Sequence, residues 1–278
     1  MQWRAFLAIV WLCAAAPATS AEDKPNPALE AARAFGARPA VHDISLSPDG
    51  QHFAVLVVGA HQSVNLAVVS TEDPTKSMFI LHSTGEPEQL TKCDWANDTR
   101  LICSIYTRTG KGVGAIGFTR LVAINSDGSG LKLASGRTSD DAIELTQNGG
   151  SVIDWYGDAQ GSAVLMTRQF AELGGVSAGT SRPGLAVERV DPVTLKRTVV
   201  ETPNSQAREY ITDGLGSVRI MGIALEDSDG YFKGTTRYVY RQRGSRNWQP
   251  MGLLVNNGNF SEGFDPWAID PILDVAYS

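Results

Sequence analysis

The sequence is short of the residues that most often build a metal or nucleophile centre. Four histidines and three cysteines are spread over 278 residues. His42, His52, His61 and His82 stand alone and are spaced unlike metal ligands, so each reads as an ordinary surface or core residue. An excess of positive charge is also missing. Lys and Arg total 24 against 30 Asp and Glu, a net charge of −6, and the basic residues are scattered. That distribution offers no footprint for a nucleic-acid backbone or an anionic lipid surface, which excludes nucleic acid as an expected partner. Low-complexity runs are absent, and composition is that of an ordinary globular protein.

Long apolar runs are missing as well, except at the N-terminus. There Arg4 precedes an apolar stretch over residues 5–16, followed by small residues through Ala21. The stretch falls short of the ~20 residues that span hydrocarbon, so residues 1–21 read as a cleaved signal peptide rather than an uncleaved anchor. Small residues allow cleavage after Ala18 or Ala21, and the second is preferred. Leu12 stands where a lipid-modified Cys13 would need a small neighbour, which argues against a lipoprotein. The expected destination is the periplasm or the exterior, without stable membrane insertion after cleavage.

Residues 22–40 read as a polar linker and a short helix, with Asn26 as cap, Pro27 at the first position and Gly36 at the end. From Val41 onward short apolar strands alternate with turn chemistry. Ser47-Pro48-Asp49-Gly50 is a tight turn, because Pro48 fixes φ and Gly50 permits a positive one. The grammar then recurs, with unit starts near Val41, Cys93, Val152 and Tyr210. Trp95 and Trp155, each at the end of a unit's first strand, read as core fillers between units. A single four-stranded sheet cannot cover both its faces, whereas sheets packed radially cover one another. The expected fold is therefore all-β over residues 41–278, an incomplete β-propeller of about four four-stranded blades with the start of a fifth. Within residues 260–278, Pro266 to Pro271 and Leu273 to Tyr277 read as the first hairpin of that fifth blade, so the expectation is either a truncated product of a longer gene or missing strands that come from elsewhere.

Cys93 and Cys103 are the cysteines left after signal removal, and the expected compartment is oxidising. Lys92-Cys93-Asp94-Trp95 and Leu101-Ile102-Cys103-Ser104 read as strands about the turn Asn97-Asp98-Thr99. Pairing about Asp98 sets the cysteines opposite one another, at a separation a disulfide tolerates. The residues fit either a disulfide or two small buried thiols.

The run Val41-His42-Asp43-Ile44-Ser45-Leu46-Ser47-Pro48-Asp49-Gly50 lies between a short helix and an apolar strand. With the later Cys93-Asp94-Trp95-Ala96-Asn97-Asp98-Thr99-Arg100-Leu101, it resembles the N-terminal propeller of bacterial secreted peptidases of the prolyl oligopeptidase family, of the dipeptidyl and acylaminoacyl peptidase type. Ser-Pro-Asp-Gly turns also occur in the propeller of the Tol system's periplasmic component. In the peptidase family the propeller caps an α/β-hydrolase domain that holds a Ser, Asp and His triad, and restricts access to short peptides. The resemblance implies a substrate-gating part without that catalytic domain, inactive alone, with peptides as substrates once joined to it. The competing expectation is a stand-alone periplasmic binding or scaffold propeller that docks a protein partner.

One stretch, Gly175-Val176-Ser177-Ala178-Gly179, matches a nucleophile-elbow formula. The chemistry needs a strand before the serine and a helix after it, and Pro183 stands against such a helix. All four histidines also precede Ser177, the reverse of the hydrolase order. Asp140-Asp141 and Glu226-Asp227 with Asp229 lack the calcium-loop spacing and read as solvated turns. Residues 110–117 are glycine-rich but lack the lysine and helix of a phosphate loop. No catalytic, cofactor-binding or metal-ligating residue is therefore assigned, and no cofactor is expected.

Overall fold

A computed structural model describes residues 26–136, 146–158, 161–170 and 183–278. Helix α1 (Pro27–Phe35) follows from local chemistry. The Asn26 side chain accepts the Ala28 N–H at 3.1 Å, and the Gly36 N–H closes on the Ala32 carbonyl at 2.9 Å. Pro27 sits in the first turn, where a helix has no use for its missing N–H. None of the helix is buried, and it belongs to a unit separate from the sheets, which begin after Arg38.

Sheet 1 comprises β1 (Val41–Leu46), β2 (His52–Val58), β3 (Val64–Ser70) and β4 (Ser77–Ser83). Sheet 2 comprises β5 (Glu88–Asn97), β6 (Arg100–Thr109), β7 (Ile116–Asn125) and β8 (Lys132–Leu133). Sheet 3 comprises β9 (Val152–Asp154), β10 (Val164–Phe170), β11 (Gly184–Val190) and β12 (Arg197–Asn204). Sheet 4 comprises β13 (Ala207–Thr212), β14 (Val218–Glu226), β15 (Phe232–Tyr240), β16 (Gln249–Asn256) and β17 (Ser261–Gly263), and a hairpin of β18 (Ala268–Asp270) and β19 (Val275–Tyr277) follows. All are antiparallel, with strands in chain order, so each strand pairs with its sequence neighbours.

Turn chemistry fixes these hairpins. The Ser47 hydroxyl donates to Asp49 at 2.6 Å and accepts the His52 N–H at 2.9 Å, while Gly50 takes φ +72°. The Asp49 carboxylate also accepts the Gln51 N–H at 3.0 Å. The Ser47 hydroxyl first, then that N–H, hold the Asp49 carboxyl below its ordinary value. Asp127 is lowered in the same way by the Ser129 hydroxyl and N–H, beside Gly128 at φ +82°.

Three apolar cores lie between the sheets. Ala54, Leu56 and Leu66 of sheet 1 meet Leu90, Trp95 and Leu101 of sheet 2. Ile102, Leu121 and Ala123 of sheet 2 meet Val164 and Met166 of sheet 3, with Trp155 packed alongside. Leu165 and Val187 of sheet 3 meet Tyr210, Val218 and Val239 of sheet 4. Strand alternation makes this possible, because successive side chains point to opposite faces. Leu101 and Cys103 face sheet 1, while Ile102 between them faces sheet 3. Val164 and Met166 face sheet 2, while Leu165 faces sheet 4. Sheets 2 and 3 are thus buried on both sides, and the four sheets form a serial stack rather than a two-layer sandwich.

Polar bonds tie the first strands of neighbouring sheets. Trp95 Nε1–H donates to the Ser45 carbonyl and the Cys93 N–H donates to Asp43, both at 3.2 Å. Thr212 donates to the Ile153 carbonyl at 3.0 Å, and Asp154 accepts the Gly216 N–H at 2.9 Å. Glu188 is 3% exposed and holds Arg168 at 3.2 Å together with Arg197, which in turn donates to the Ala134 carbonyl of the sheet 2 side. Arg100, 2% exposed, donates to Pro192 at 3.0 Å and to Asn125 and Gly130, each at 2.8 Å.

One expectation is corrected. The fourth sheet has five strands, not four, because Ser261–Gly263 pairs with β16 through Leu254↔Gly263 and Asn256↔Ser261. The reason is that β17 joins by backbone hydrogen bonds at a sheet edge, which need no apolar side chains. The hairpin expected from Pro266 to Pro271 and Leu273 to Tyr277 is present, as the separate pair of Ala268–Asp270 and Val275–Tyr277.

Candidate functional site

The cysteines are brought together. Cys93 and Cys103 are directly opposed in the β5–β6 ladder, with Cα atoms 4.1 Å apart, and form a disulfide inside the first core. The histidines are dispersed. His42 is exposed on β1, His52 lies 6.2 Å from the Trp95 ring, His61 sits in the β2–β3 turn, and His82 bonds Asn65 at 2.7 Å. Among the described residues no group of three His, Cys, Asp or Glu side chains comes close enough to hold a metal. The Asp227 carboxylate accepts the N–H groups of Asp229 at 3.0 Å and Tyr231 at 2.9 Å, which makes that acidic segment a hydrogen-bonded turn. Asp140, Asp141 and the Gly175 to Gly179 stretch with Ser177 lie outside the described residues, as does the signal segment 1–21. No helix among the described residues is long and apolar enough to cross a membrane.

Two features remain that carry chemistry. The first is a cleft of about 690 Å³ between the β2–β3 turn, the segment joining β4 to β5, and the β6–β7 loop. Gln62, Glu86, Gln89, Tyr106, Arg108 and Lys111 line it. The Arg108 backbone N–H donates to the Pro87 carbonyl at 3.4 Å, which ties β6 to the segment that carries Glu86. Tyr106 lies flat on Gly117, where a Cβ would stand 2.6 Å from the phenol oxygen, and it pairs across the ladder with Gln89. Gly85 at φ +88° is pressed on Gln62, where a Cβ would meet the carbonyl oxygen at 2.3 Å. The glycine-rich stretch read as a loop is one over residues 110–115, while Gly117 lies on β7, and its partners in the cleft come from distant positions.

The second feature is the pair of uncovered faces on the stack. Ile44 pairs with Val55 and Leu46 with Phe53, opposite in sense to Ala54 and Leu56, which point into the first core. Phe79, paired with Ala67, joins them on the outer side of sheet 1. Ile44, Leu46 and Phe79 are 57%, 53% and 67% exposed. Beyond sheet 4 the β18–β19 hairpin leaves Trp267, Ile272 and Leu273 exposed. The hairpin is pinned to sheet 4 by Asp274, which pairs with the nearly buried Arg219; Arg219 also faces Asp213 at 3.6 Å, and Arg243 holds that carboxylate at 2.7 Å. On the same sheet burial, then the Glu209 carboxylate it donates to at 2.6 Å, push the Tyr238 hydroxyl well above its ordinary value.

No family model matches the sequence, and no curated protein matches it. Solved structures are similar at low identity. An oligogalacturonate lyase from Vibrio parahaemolyticus is 10% identical, over 76% of this chain and 55% of that one, with a TM-score of 0.44. Prolyl oligopeptidase B from Galerina marginata is 11% identical, over 87% of this chain and 32% of that one, with a TM-score of 0.44. TolB from Acinetobacter baumannii is 12% identical, over 80% of this chain and 50% of that one, with a TM-score of 0.36. The chain thus spans about half, or less, of each of these three solved chains.

Proposed function

We propose that this chain is the non-catalytic part of an exported peptidase of the prolyl oligopeptidase family: a partial β-propeller that gates short peptides toward a hydrolase centre carried on a separate part of the assembly. One observation carries the reading. The sheets stack in chain order, with the first strands of sheets 1 and 2 and those of sheets 3 and 4 tied side by side, and the series stays open, with Ile44, Leu46 and Phe79 uncovered on one outer face. An apolar sheet face of this kind is the complement of another sheet, as the three internal cores illustrate, and large uncovered apolar patches mark interaction surfaces. Further sheets of the same stack are the proposed occupants. The turn and strand residues between Val41 and Leu101, which resemble the peptidase family, support the assignment to that class.

The test uses the purified chain with an affinity tag. Incubated with an extract of the producing cell, it should retain a polypeptide that reacts with a fluorophosphonate probe for active serines and cleaves short peptides but not folded proteins. Phe79→Asp should abolish retention while the far-UV circular dichroism stays unchanged. A chain that is a monodisperse monomer, binds no hydrophobic dye and retains no labelled partner would contradict the proposal and favour a self-contained binding module.

A further inference from the structure

We propose that the cleft between sheets 1 and 2 binds a small zwitterion bearing a free carboxylate, an amino acid or short peptide. The inference deepens the gating reading and rests on it for the peptide class. The cleft's free volume, about 690 Å³, lies within the range of small-molecule sites. Its composition separates it from the cleft over sheet 4. Among the described residues Gln62, Glu86, Gln89, Tyr106, Arg108 and Lys111 show no side-chain hydrogen bond or ion pair to the protein. In the smaller cleft of about 330 Å³ over sheet 4 the cations are already engaged, Arg219 by Asp274 and Arg241 by Glu201. Elsewhere buried arginines are likewise consumed by structure, as with Arg100 and Arg197.

The uncommitted groups are sorted by chemistry. Arg108 and Lys111, two positive groups on the β6–β7 side, suit a carboxylate, and Arg108 can engage both oxygens through its fork. Glu86, on the segment joining β4 to β5, suits an ammonium group. Gln62 and Gln89 supply amide donors and acceptors of the kind that match a peptide backbone. Tyr106, fixed against Gly117, offers an aromatic edge for the aliphatic part of the ligand. A dianion such as phosphate would satisfy the cations but leave Glu86 repelling it, whereas a zwitterion answers both signs.

The experiment is a calorimetric or NMR titration of the full chain with triglycine, glycine, triglycine amide and inorganic phosphate. Triglycine should bind saturably, and capping its carboxylate as the amide should weaken binding about tenfold, the expected loss of one charged hydrogen-bonding contact. Arg108→Ala with Lys111→Ala should remove binding, and Glu86→Gln should weaken it for free triglycine but not for N-acetylated triglycine. Binding of glycine as tight as triglycine identifies a free amino acid as the source, and tighter binding of triglycine identifies a peptide; both support the site. Absence of saturable binding by either, equal binding of acid and amide, or preference for phosphate would overturn it. Since the variants alter exposed side chains, circular dichroism serves as the folding control. Gly117→Ala, which displaces the Tyr106 ring, provides a second variant expected to weaken binding without touching a charge. None of these readings involves a hydrolase partner, so failure here leaves the gating proposal to its own test.

Discussion

Sheet 2 and sheet 1 are built from the same alternation of apolar residues, yet one is buried on both faces and the other on one. In β6 the odd and even positions both find cover, Leu101 and Cys103 on one side and Ile102 on the other. In β1 and β2 the Ala54 and Leu56 side meets a neighbour, while Ile44 and Leu46 face outward with more than half their surface exposed. The contrast teaches that a period of two specifies which face a residue takes, and says nothing about what covers that face. Function is proposed to reside in that missing cover.

The comparison can be broken first at the covered side. Glu188 is buried between Arg168 and Arg197, and its loss takes the carboxylate from both guanidinium groups near the second core. Glu188→Ala is expected to destabilise the chain by about 3–5 kcal/mol in urea unfolding. Leu165→Ala removes a side chain with no exposed surface from the third core, with an expected cost of about 2–5 kcal/mol in the same measurement. Replacing Cys93 and Cys103 together by Ala opens the link between β5 and β6, with an expected cost of about 2–3 kcal/mol for so short a loop. At the uncovered side the same kind of change should do little. Phe79→Ser is expected to alter stability by under about 0.5 kcal/mol while lowering hydrophobic-dye binding. A loss there comparable to Leu165→Ala would mean that the outer face is packed in solution.

Acid sharpens the comparison at its weakest end. Asp49 and Asp127 have folded values below the ordinary 3.8, so the stabilisation they lend is present above that value and is lost as pH falls through the lowered one. Stability measured against pH should therefore decline in the acid range below about pH 4. Asp49→Asn should flatten part of that slope, and the effect should be small because both aspartates are solvent-exposed.

Much of the architecture is legible in the sequence, and the reasons are local. Asp49-Gly50 and Asp127-Gly128 mark turns by side-chain bonds within a few residues, and the Cys93 to Cys103 opposition follows from a hairpin closed about Asp98. Sheet 4 is fainter because β14 has register irregularities against both of its neighbours, and because Lys233, Thr235, Thr236 and Arg237 blur the apolar pattern of β15. Strand β17 escapes the apolar pattern because Ser261, Glu262 and Gly263 pair only through backbone. The cleft is invisible in the chain for a different reason. Gln62, Glu86 and Lys111 come from three separate connections and Tyr106 from β6, and no spacing records that.

The central claim, a serial stack whose first sheet keeps one apolar face uncovered, is most directly tested by hydroxyl-radical footprinting of the purified monomer with residue-level mass spectrometry. Phe79 and Trp267 should be oxidised rapidly, while Trp95, 5% exposed between sheets 1 and 2, should be protected until the chain is unfolded. Protection of Phe79 equal to that of Trp95 in a chain confirmed as monomeric would contradict the account.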